Sequence, residues 1–473
     1  MGRSGVFALA CVAGCSAGDG LGDTDGAALG GSTGASTRGG ESEGGSSSVS
    51  TSGNATSSAG EDESSAGSSG IPEGCQNGYV DPGEQCDDGN DVNADGCNRD
   101  CRSSAQLLWS VSHGAGVGQV DEGFAVAALD DGAAVIAGYV SDADEARDGW
   151  IRGYDSTGVE LWTDALAGAG GGNDEIRGLV ADAMGNVYAT GYESRAESAD
   201  AWLRKYDALG NALWTQTYDG PNHATDVYSA ATIDADGNIV VAGYHHTGDE
   251  GYDVLLRKYD PDGNVMWTRS SSGENGGTDL IWDIEPSPAG HLYVAGYANG
   301  SAGEGSNAWL AKYDADGNEL WARSYNGDAS LDDYLIGVEV LDEDDVVVCG
   351  YMNESEIPWR VTVRRYDSSG MLVWSDHYAG ESDEGAHCFG IEVDDDGNVV
   401  TTGGEMMAKV RGVMVRKYDP EGDVLWSTVL PSAATGPDYG RRISIGDGDE
   451  IFIAGAMDLG TDVRDIWLGV LTP

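Results

Sequence analysis

Apolar residues in this chain come in short runs, each closed by a cluster of Asp, Gly, Asn or Pro. The stretch from Thr225 to Trp267 shows the pattern. An apolar run, Tyr228 to Ile233, stops at Asp234-Ala235-Asp236-Gly237-Asn238 and returns as Ile239-Val240-Val241-Ala242-Gly243-Tyr244. A polar loop leads to Val254-Leu255-Leu256-Arg257-Lys258-Tyr259. A second turn, Asp260-Pro261-Asp262-Gly263-Asn264, leads to Val265-Met266-Trp267-Thr268. Runs of β-branched and aromatic residues bounded by turn formers predict strands joined by hairpins. Glycine after Asp supplies the positive φ of a tight turn. No window keeps a helical period, so the unit reads as four antiparallel strands.

The unit repeats. Trp109, Trp162, Trp214, Trp267, Trp321, Trp374 and Trp426 recur at intervals of 52 to 54 residues, and a fixed period of this size marks a repeat architecture. Gly-Tyr recurs on the second strand at Tyr139, Tyr192, Tyr244, Tyr297 and Tyr351. Tyr-Asp recurs on the third at Tyr154, Tyr206, Tyr259, Tyr313, Tyr366 and Tyr418. These rings are expected to pack between successive sheets. The first element is a lone fourth strand, Leu107 to Ser110, and the last repeat has three strands, ending with Ile466 to Val470. Joining them completes one blade and hides the sheet edges. The expected fold is therefore all-β: a seven-bladed β-propeller of four-stranded blades over residues 104–473.

Two resemblances agree with this. The segment Asn173 to Asp182 with Gly185 to Tyr192 resembles the bacterial SBBP propeller repeat, a family that implies the fold and little about activity. Tyr313-Asp314-Ala315-Asp316-Gly317-Asn318-Glu319-Leu320-Trp321 resembles the tryptophan-docking motif of quinoprotein propellers, which implies blade-to-blade packing and no quinone.

The first hundred residues read differently. An apolar run from Val6 to Gly14 ends at Cys15. It is too short to span a bilayer. Val12-Ala13-Gly14-Cys15 resembles a bacterial lipobox, which implies a signal peptide over residues 1–15 and lipid attachment at Cys15. The absence of Asp after that Cys leans towards the outer membrane. Residues 16–70 are Gly, Ser, Thr and Ala with few large apolar groups. Such a segment cannot bury a core and is expected to be a disordered tether, with a reach of roughly 40 Å. Residues 71–103 hold Cys75, Cys86, Cys97 and Cys101 and resemble the myxobacterial cysteine-rich repeat. A module this small needs disulfides, and four cysteines leave three pairings open. Cysteine spacings of ten, ten and three residues, with no nearby His, argue against zinc. Asp87, Asp88, Asn90, Asn93 and Asp95 supply oxygen ligands suited to calcium, or form a turn-rich loop.

Charge narrows the function classes. A formal charge of -56 excludes ordinary nucleic-acid binding through phosphate neutralisation, and leaves membrane attachment to the lipid. Cys349 and Cys388 fall on strands of neighbouring blades and are either a disulfide or two small buried groups. Asp121, Asp174, Asp226, Asp279, Asp333 and Asp438 precede the first strand of six blades, with Ala386 in the sixth blade. They are read either as an acidic ring at the channel mouth, able to hold a cation, or as loop ties repeated once per blade. His245-His246 is placed in a surface loop. Trp282, Tyr334 and Trp359 mark either a binding face or packing. No metalloprotease, nucleophile-elbow or phosphate-loop spacing occurs in the repeat region. Together these features predict a non-enzymatic, lipid-anchored cell-envelope protein, outer-membrane address included, that acts as a binding platform for a protein or glycan. Calcium is the one candidate cofactor. The alternatives are an envelope-assembly scaffold docking outer-membrane partners and a propeller enzyme, quinoprotein-like or hydrolytic.

Overall fold

The structure is a computed structural model. It describes residues 48–50, Cys86 and 103–473, apart from stretches of two to seven residues in the loops: 115–118, 142–145, 169–170, 196–197, 249–250, 273–276, 301–304, 328–330, 342–343, 354–358, 381–384, 408–409, 431–437 and 459–463. Six blades are four-stranded antiparallel meanders in chain order. Blade 1 runs Glu122–Ala128, Ala134–Ser141, Arg147–Tyr154 and Glu160–Leu166. The first strands of blades 2 to 6 begin at Glu175, Asp226, Leu280, Tyr334 and Ala386. Each first strand neighbours those of the two adjacent blades, and the first strand of blade 7 neighbours that of blade 1, so the ring closes.

Closure is made as the repeat count requires. Blade 7 takes Tyr439–Ile445, Ile451–Met457 and Asp465–Leu471 from the end of the chain and Leu107–His113 from the other side. Trp109 pairs with Val470 and His113 with Ile466. Beyond the strands, Thr472 N–H donates to Gln106 O at 2.9 Å, and Gln106 N–H donates back to Thr472 Oγ1 at 2.8 Å. One departure from the expected tether appears here. Ser48–Ser50 forms a three-residue strand antiparallel to Ser110–Ser112, because Leu107–His113 is an outer strand with an unpaired edge.

The recurring tryptophan is the tie between blades. In every outer strand the pairing skips the residue before it, for instance between Ala212 and Trp214 and between Val265 and Trp267. Such a bulge re-aims the side chain that follows. The indole then lies on the third-to-fourth hairpin of the next blade. Trp267 Nε1 donates to Ala315 O at 3.2 Å, Trp321 Nε1 to Ser368 O at 3.3 Å, and Trp374 Nε1 to Pro420 O at 3.0 Å. The hairpin glycine beneath the ring needs both its positive φ and its missing Cβ: at Gly210 (φ 81°) a Cβ would sit 2.4 Å from the Trp162 ring, and at Gly422 (φ 92°) 2.7 Å from Trp374. The bulged residues themselves, Leu161, Leu213, Met266, Leu320 and Val373, are thrown outward and exposed.

The Gly-Tyr tyrosines are buried between sheets as expected. Cys349, on the second strand of blade 5, is disulfide-bonded to Cys388, on the first strand of blade 6, with Cα atoms 5.9 Å apart.

Two measurements test these ties. Trp374→Ala should cost about 3 kcal/mol, through lost packing and an exposed hairpin, whereas Trp374→Phe, which loses chiefly the hydrogen bond, should cost nearer 1 kcal/mol. Equal losses by urea titration would assign the effect to the indole N–H alone. Separately, Cys349→Ala with Cys388→Ala opens a loop of 39 residues and should lower stability by about 3–4 kcal/mol. Reductant should reproduce that loss in the wild type and leave the double variant's value unchanged.

Candidate functional site: the central channel

First strands line the channel, and their alternating side chains divide it into levels. Near the loop-bearing face it is filled. The Arg441 guanidinium lies 5.3 Å from the Phe124 ring and 5.2 Å from Phe389, on blades 1 and 6. Arg177 lies 6.0 Å from Phe124 and pairs at 3.0 Å with Glu175, which also takes Arg147 at 2.6 Å. Two bases beside the buried Glu175 carboxylate hold it below the usual range, against the burial that raises it.

One level down, the positions are Ala125, Gly178, Ala230, Asp283, Gly337, Gly390 and Arg442, each paired with an equivalent second-strand residue. Five are Ala or Gly because neighbouring first strands nearly touch: a Cβ on Gly178 would lie 2.9 Å from Ala230 Cα. The two large side chains use the space so left. Arg442 of blade 7 crosses to blade 4, with Nη1 at 3.0 Å from Asp283 Oδ2 and Nη2 donating to Trp282 O at 2.8 Å.

Below this bridge, towards the hairpins, lies a cavity of about 360 Å³ with walls from all seven first strands. At one register position it carries Ala127, Val180, Thr232, Glu285, Glu339, Glu392 and Ser444. Three successive blades thus present glutamates and the opposite arc is uncharged. Arg442 is already held by Asp283. Burial pushes the Glu285 and Glu339 carboxyls well up, and each feels Glu392 as a neighbouring charge. Burial, then Asp283, raises Glu392 to about 8. Burial also raises Asp283, against the pull of Arg442. Such a cluster can store protons and present hydrogen-bond donors at neutral pH. Repeat alignment missed it, although Ile284-Glu285, Val338-Glu339 and Ile391-Glu392 stand at matching places in the sequence.

The Asp positions expected at the mouth are all buried, and the described bonds tie each to its own surroundings. Oδ1 of Asp121, Asp174, Asp279, Asp333 and Asp438 accepts the backbone N–H of Ser141, Ser194, Asn299, Asn353 and Asp458, each at 2.7–2.8 Å. Oδ2 of Asp174 and Asp333 accepts from Gly168 and Gly327 in the preceding loop. Asp226 departs at one oxygen: Oδ2 still accepts from Gly220 N–H, but His246 N–H donates instead to Thr225 O at 3.1 Å, Oδ1 has no partner, and burial raises the carboxyl to about 7. In blade 6, where Ala386 replaces the Asp, buried Glu405 brings its carboxyl beside Gly380, the position equivalent to Gly168. Among the described residues no three His, Cys, Asp or Glu side chains converge to hold a metal.

Other expected residues find plainer places. His245 is not in a loop. It lies on the second strand of blade 3, buried, with Nε2 at 2.6 Å from Ser270 Oγ and Nδ1 at 3.2 Å from Tyr218 Oη, because that strand runs on to Gly248. Burial lowers its basicity. Tyr334 packs edge-on to Tyr297 and Trp359 edge-on to Tyr351. Trp282 is half-buried, with its carbonyl on Arg442. Cys86 is disulfide-bonded. Cys15, Cys75, Cys97, Cys101, Asp87, Asp88, Asn90, Asn93 and Asp95 lie outside the described residues.

The glutamate cluster gives a pH test. Each carboxyl binds its proton more tightly folded than unfolded, so the native state holds more protons and stability falls as pH rises. The window opens near the ordinary glutamate value of 4.5 and extends to about 8 for Glu392. A variant with Glu285→Gln, Glu339→Gln and Glu392→Gln should match the wild type in melting temperature near the lower limit and exceed it increasingly above. A difference that does not change with pH would show that these carboxyls titrate normally.

One family model agrees with this architecture. A family model described as a β-propeller domain of unknown function (DUF5122) matches residues 235–265. No curated protein matches the chain. Among solved structures, Sqt1 from Chaetomium thermophilum is similar at 13% identity over 75% of this chain and 96% of its own, with a TM-score of 0.44. The propeller domain of the Trilobed protease from Pyrococcus furiosus is similar at 9% identity over 75% and 94%, with a TM-score of 0.45. The polysaccharide lyase Uly1 is similar at 11% identity over 74% and 90%, with a TM-score of 0.48. None of these likenesses assigns an activity. The chain is a seven-bladed β-propeller of four-stranded antiparallel blades.

Proposed function

We propose that the protein is an exported, lipid-anchored platform of the bacterial cell envelope whose propeller binds a protein or glycan on one face. The observation that carries this reading is the unlikeness of the two faces. A meander places all first-to-second and third-to-fourth turns at one end of the blades and every other connection at the opposite end. The turns at the first end follow one recipe, as at Asp260, whose N–H donates to Asn264 O and whose Oδ1 accepts from Asn264 N–H. The connections at the other end differ from blade to blade in length and sequence, as 219–225 and 326–333 show. Rigid strands that present divergent loops suit recognition.

Address is supported by other features. The Cys349–Cys388 disulfide and the bonded Cys86 fit an oxidising compartment. The lipobox-like Val12 to Cys15, the SBBP-like repeats and the cysteine-rich module fit a tethered head outside the cytoplasm. The charge of -56 fits a head that stays off anionic surfaces.

Crosslinking in the native envelope tests the reading, using the full chain and a variant in which 219–225 and 326–331 are exchanged for Gly/Ser segments, leaving the buried Asp333 in place. The wild type should fractionate with membranes, lose that association on Cys15→Ser, and crosslink to a discrete partner that the loop variant does not capture. An identical crosslinking pattern from both chains would remove the platform reading. Membrane association that survives Cys15→Ser would remove the anchor.

A further inference from the structure

The repeats provide their own comparison for one position. On the third strand, Trp150, Trp202, Trp309 and Trp467 occupy equivalent register in blades 1, 2, 4 and 7, each facing the preceding blade. Three of them are buried. His113 of blade 7 stacks on Trp150 with ring centres 4.8 Å apart and planes 9° from parallel. Leu166 packs in one cluster with Trp202, and Leu430 with Trp467. These covering residues sit at one outer-strand position, held by Tyr218, Tyr325 and Tyr378 where the facing blade has no tryptophan. Blade 3 alone has a small residue there, Ser271.

A second deletion enlarges the gap. Two residues along the third strand, blades 1, 2, 3, 5 and 6 carry Arg152, Arg204, Arg257, Arg364 and Arg416, while blade 4 carries Ala311 and blade 7 Gly469, over which the Trp467 ring lies. Elsewhere that arginine reaches the preceding blade: Arg364 lies 3.6 Å from the Tyr325 ring and Arg416 4.3 Å from Tyr378. With both the ring and the cation missing between blades 3 and 4, a slot of about 230 Å³ opens there. Trp309 is left half-buried on its wall. Ser271, Ser272, Asn299, Asn307 and Ser324 supply polar groups around it, and Asn307 Oδ1 is buried without a hydrogen-bond partner.

We propose that this slot binds a neutral sugar ring, stacked on Trp309 where His113 stacks on Trp150, with its hydroxyls against the polar rim of Ser271, Asn299, Asn307 and Ser324. The proposal deepens the platform reading and rests on it for the glycan's presence. The volume is below the roughly 300 Å³ at which drug-sized pockets begin, which suits a single ring. An apolar face with hydroxyls at its edge matches an indole wall rimmed by amides and hydroxyls. The charge of the chain, with Asp279 and Glu319 at the slot's margins, disfavours acidic sugars. Arg323, the guanidinium residue at the slot, is committed to Gly370 O and Ser369 O at 3.0 and 2.9 Å. One aromatic wall without a cage is a poor fit for an organic cation.

The test uses the full chain, ligand-observed NMR, and a panel of neutral hexose and pentose oligosaccharides with tetramethylammonium as a cation control. Ser271→Leu restores the side chain that blades 1 and 6 carry and should fill the slot without unfolding the ring. Trp309→Ala removes the wall, with Trp309→Phe as the milder form. At least one neutral saccharide should bind, with affinity lowered about tenfold or more in Ser271→Leu and Trp309→Ala and an unchanged melting temperature in Ser271→Leu. No saccharide binding by the wild type, binding that Ser271→Leu leaves intact, or preference for tetramethylammonium would each overturn the proposal. Envelope crosslinking that depends on the loops but not on Ser271 would keep the platform while the sugar slot falls.

Discussion

A four-stranded sheet has two faces to bury and two edges to protect, and the indole–hairpin contact deals with the faces by the same geometry wherever the next blade has a third-to-fourth hairpin. The bulge turns the tryptophan sideways, the hairpin glycine of the next blade leaves room for the ring, and the second turn residue offers its carbonyl to the indole N–H. Each part is useless without the other two. A tryptophan without the bulge would point elsewhere, and a Cβ at Gly210 would enter the Trp162 ring. The contact runs in one direction around the ring, so every blade both gives an indole and receives one wherever the hairpin exists.

The seam shows what happens where it does not. The third and fourth strands of blade 7 come from distant parts of the chain, so no third-to-fourth hairpin lies ahead of Trp426. Its Nε1 is buried with no hydrogen-bond partner. An unpaired buried donor costs free energy. The seam offsets this with backbone pairing from Leu107 to His113 and the reciprocal bonds between Gln106 and Thr472. Closure removes two open edges, and the strand Ser48–Ser50 covers the outer one that remains on Leu107–His113.

Much of this was legible in the sequence because each repeated residue answers a local requirement. Turn glycines, the Gly-Tyr pair and the tryptophan period locate strands, blades and the shared last sheet without any knowledge of contacts. The repeated Asp could be seen, but position alone could not separate a cation ring from a loop tie. The hydrogen bond from a residue twenty positions later distinguishes the arrangement, and that is a fact of pairing. Glu285, Glu339 and Glu392 escaped because no turn or cap demands them. Their meaning comes from which side of a first strand faces the axis, and only the register between blades fixes that. His245 was misplaced for a similar reason, since nothing local announces that the second strand of blade 3 continues to Gly248.

Deviation from the template is therefore more informative here than the template itself. Where a residue departs and a neighbour occupies its place, as when the Glu405 carboxyl lies beside Gly380 in the blade that has Ala386 for Asp, the change is structural. Arg442 and Asp283 are of that kind too: they depart from Ala and Gly together, and each satisfies the other. The glutamates of blades 4 to 6 and the Ser271–Ala311 gap are different, because three carboxyls face one Arg442 already held by Asp283 and the outer-strand position stays small. In a ring whose other interfaces are so consistently closed, an uncompensated departure marks where something other than packing has acted on the sequence.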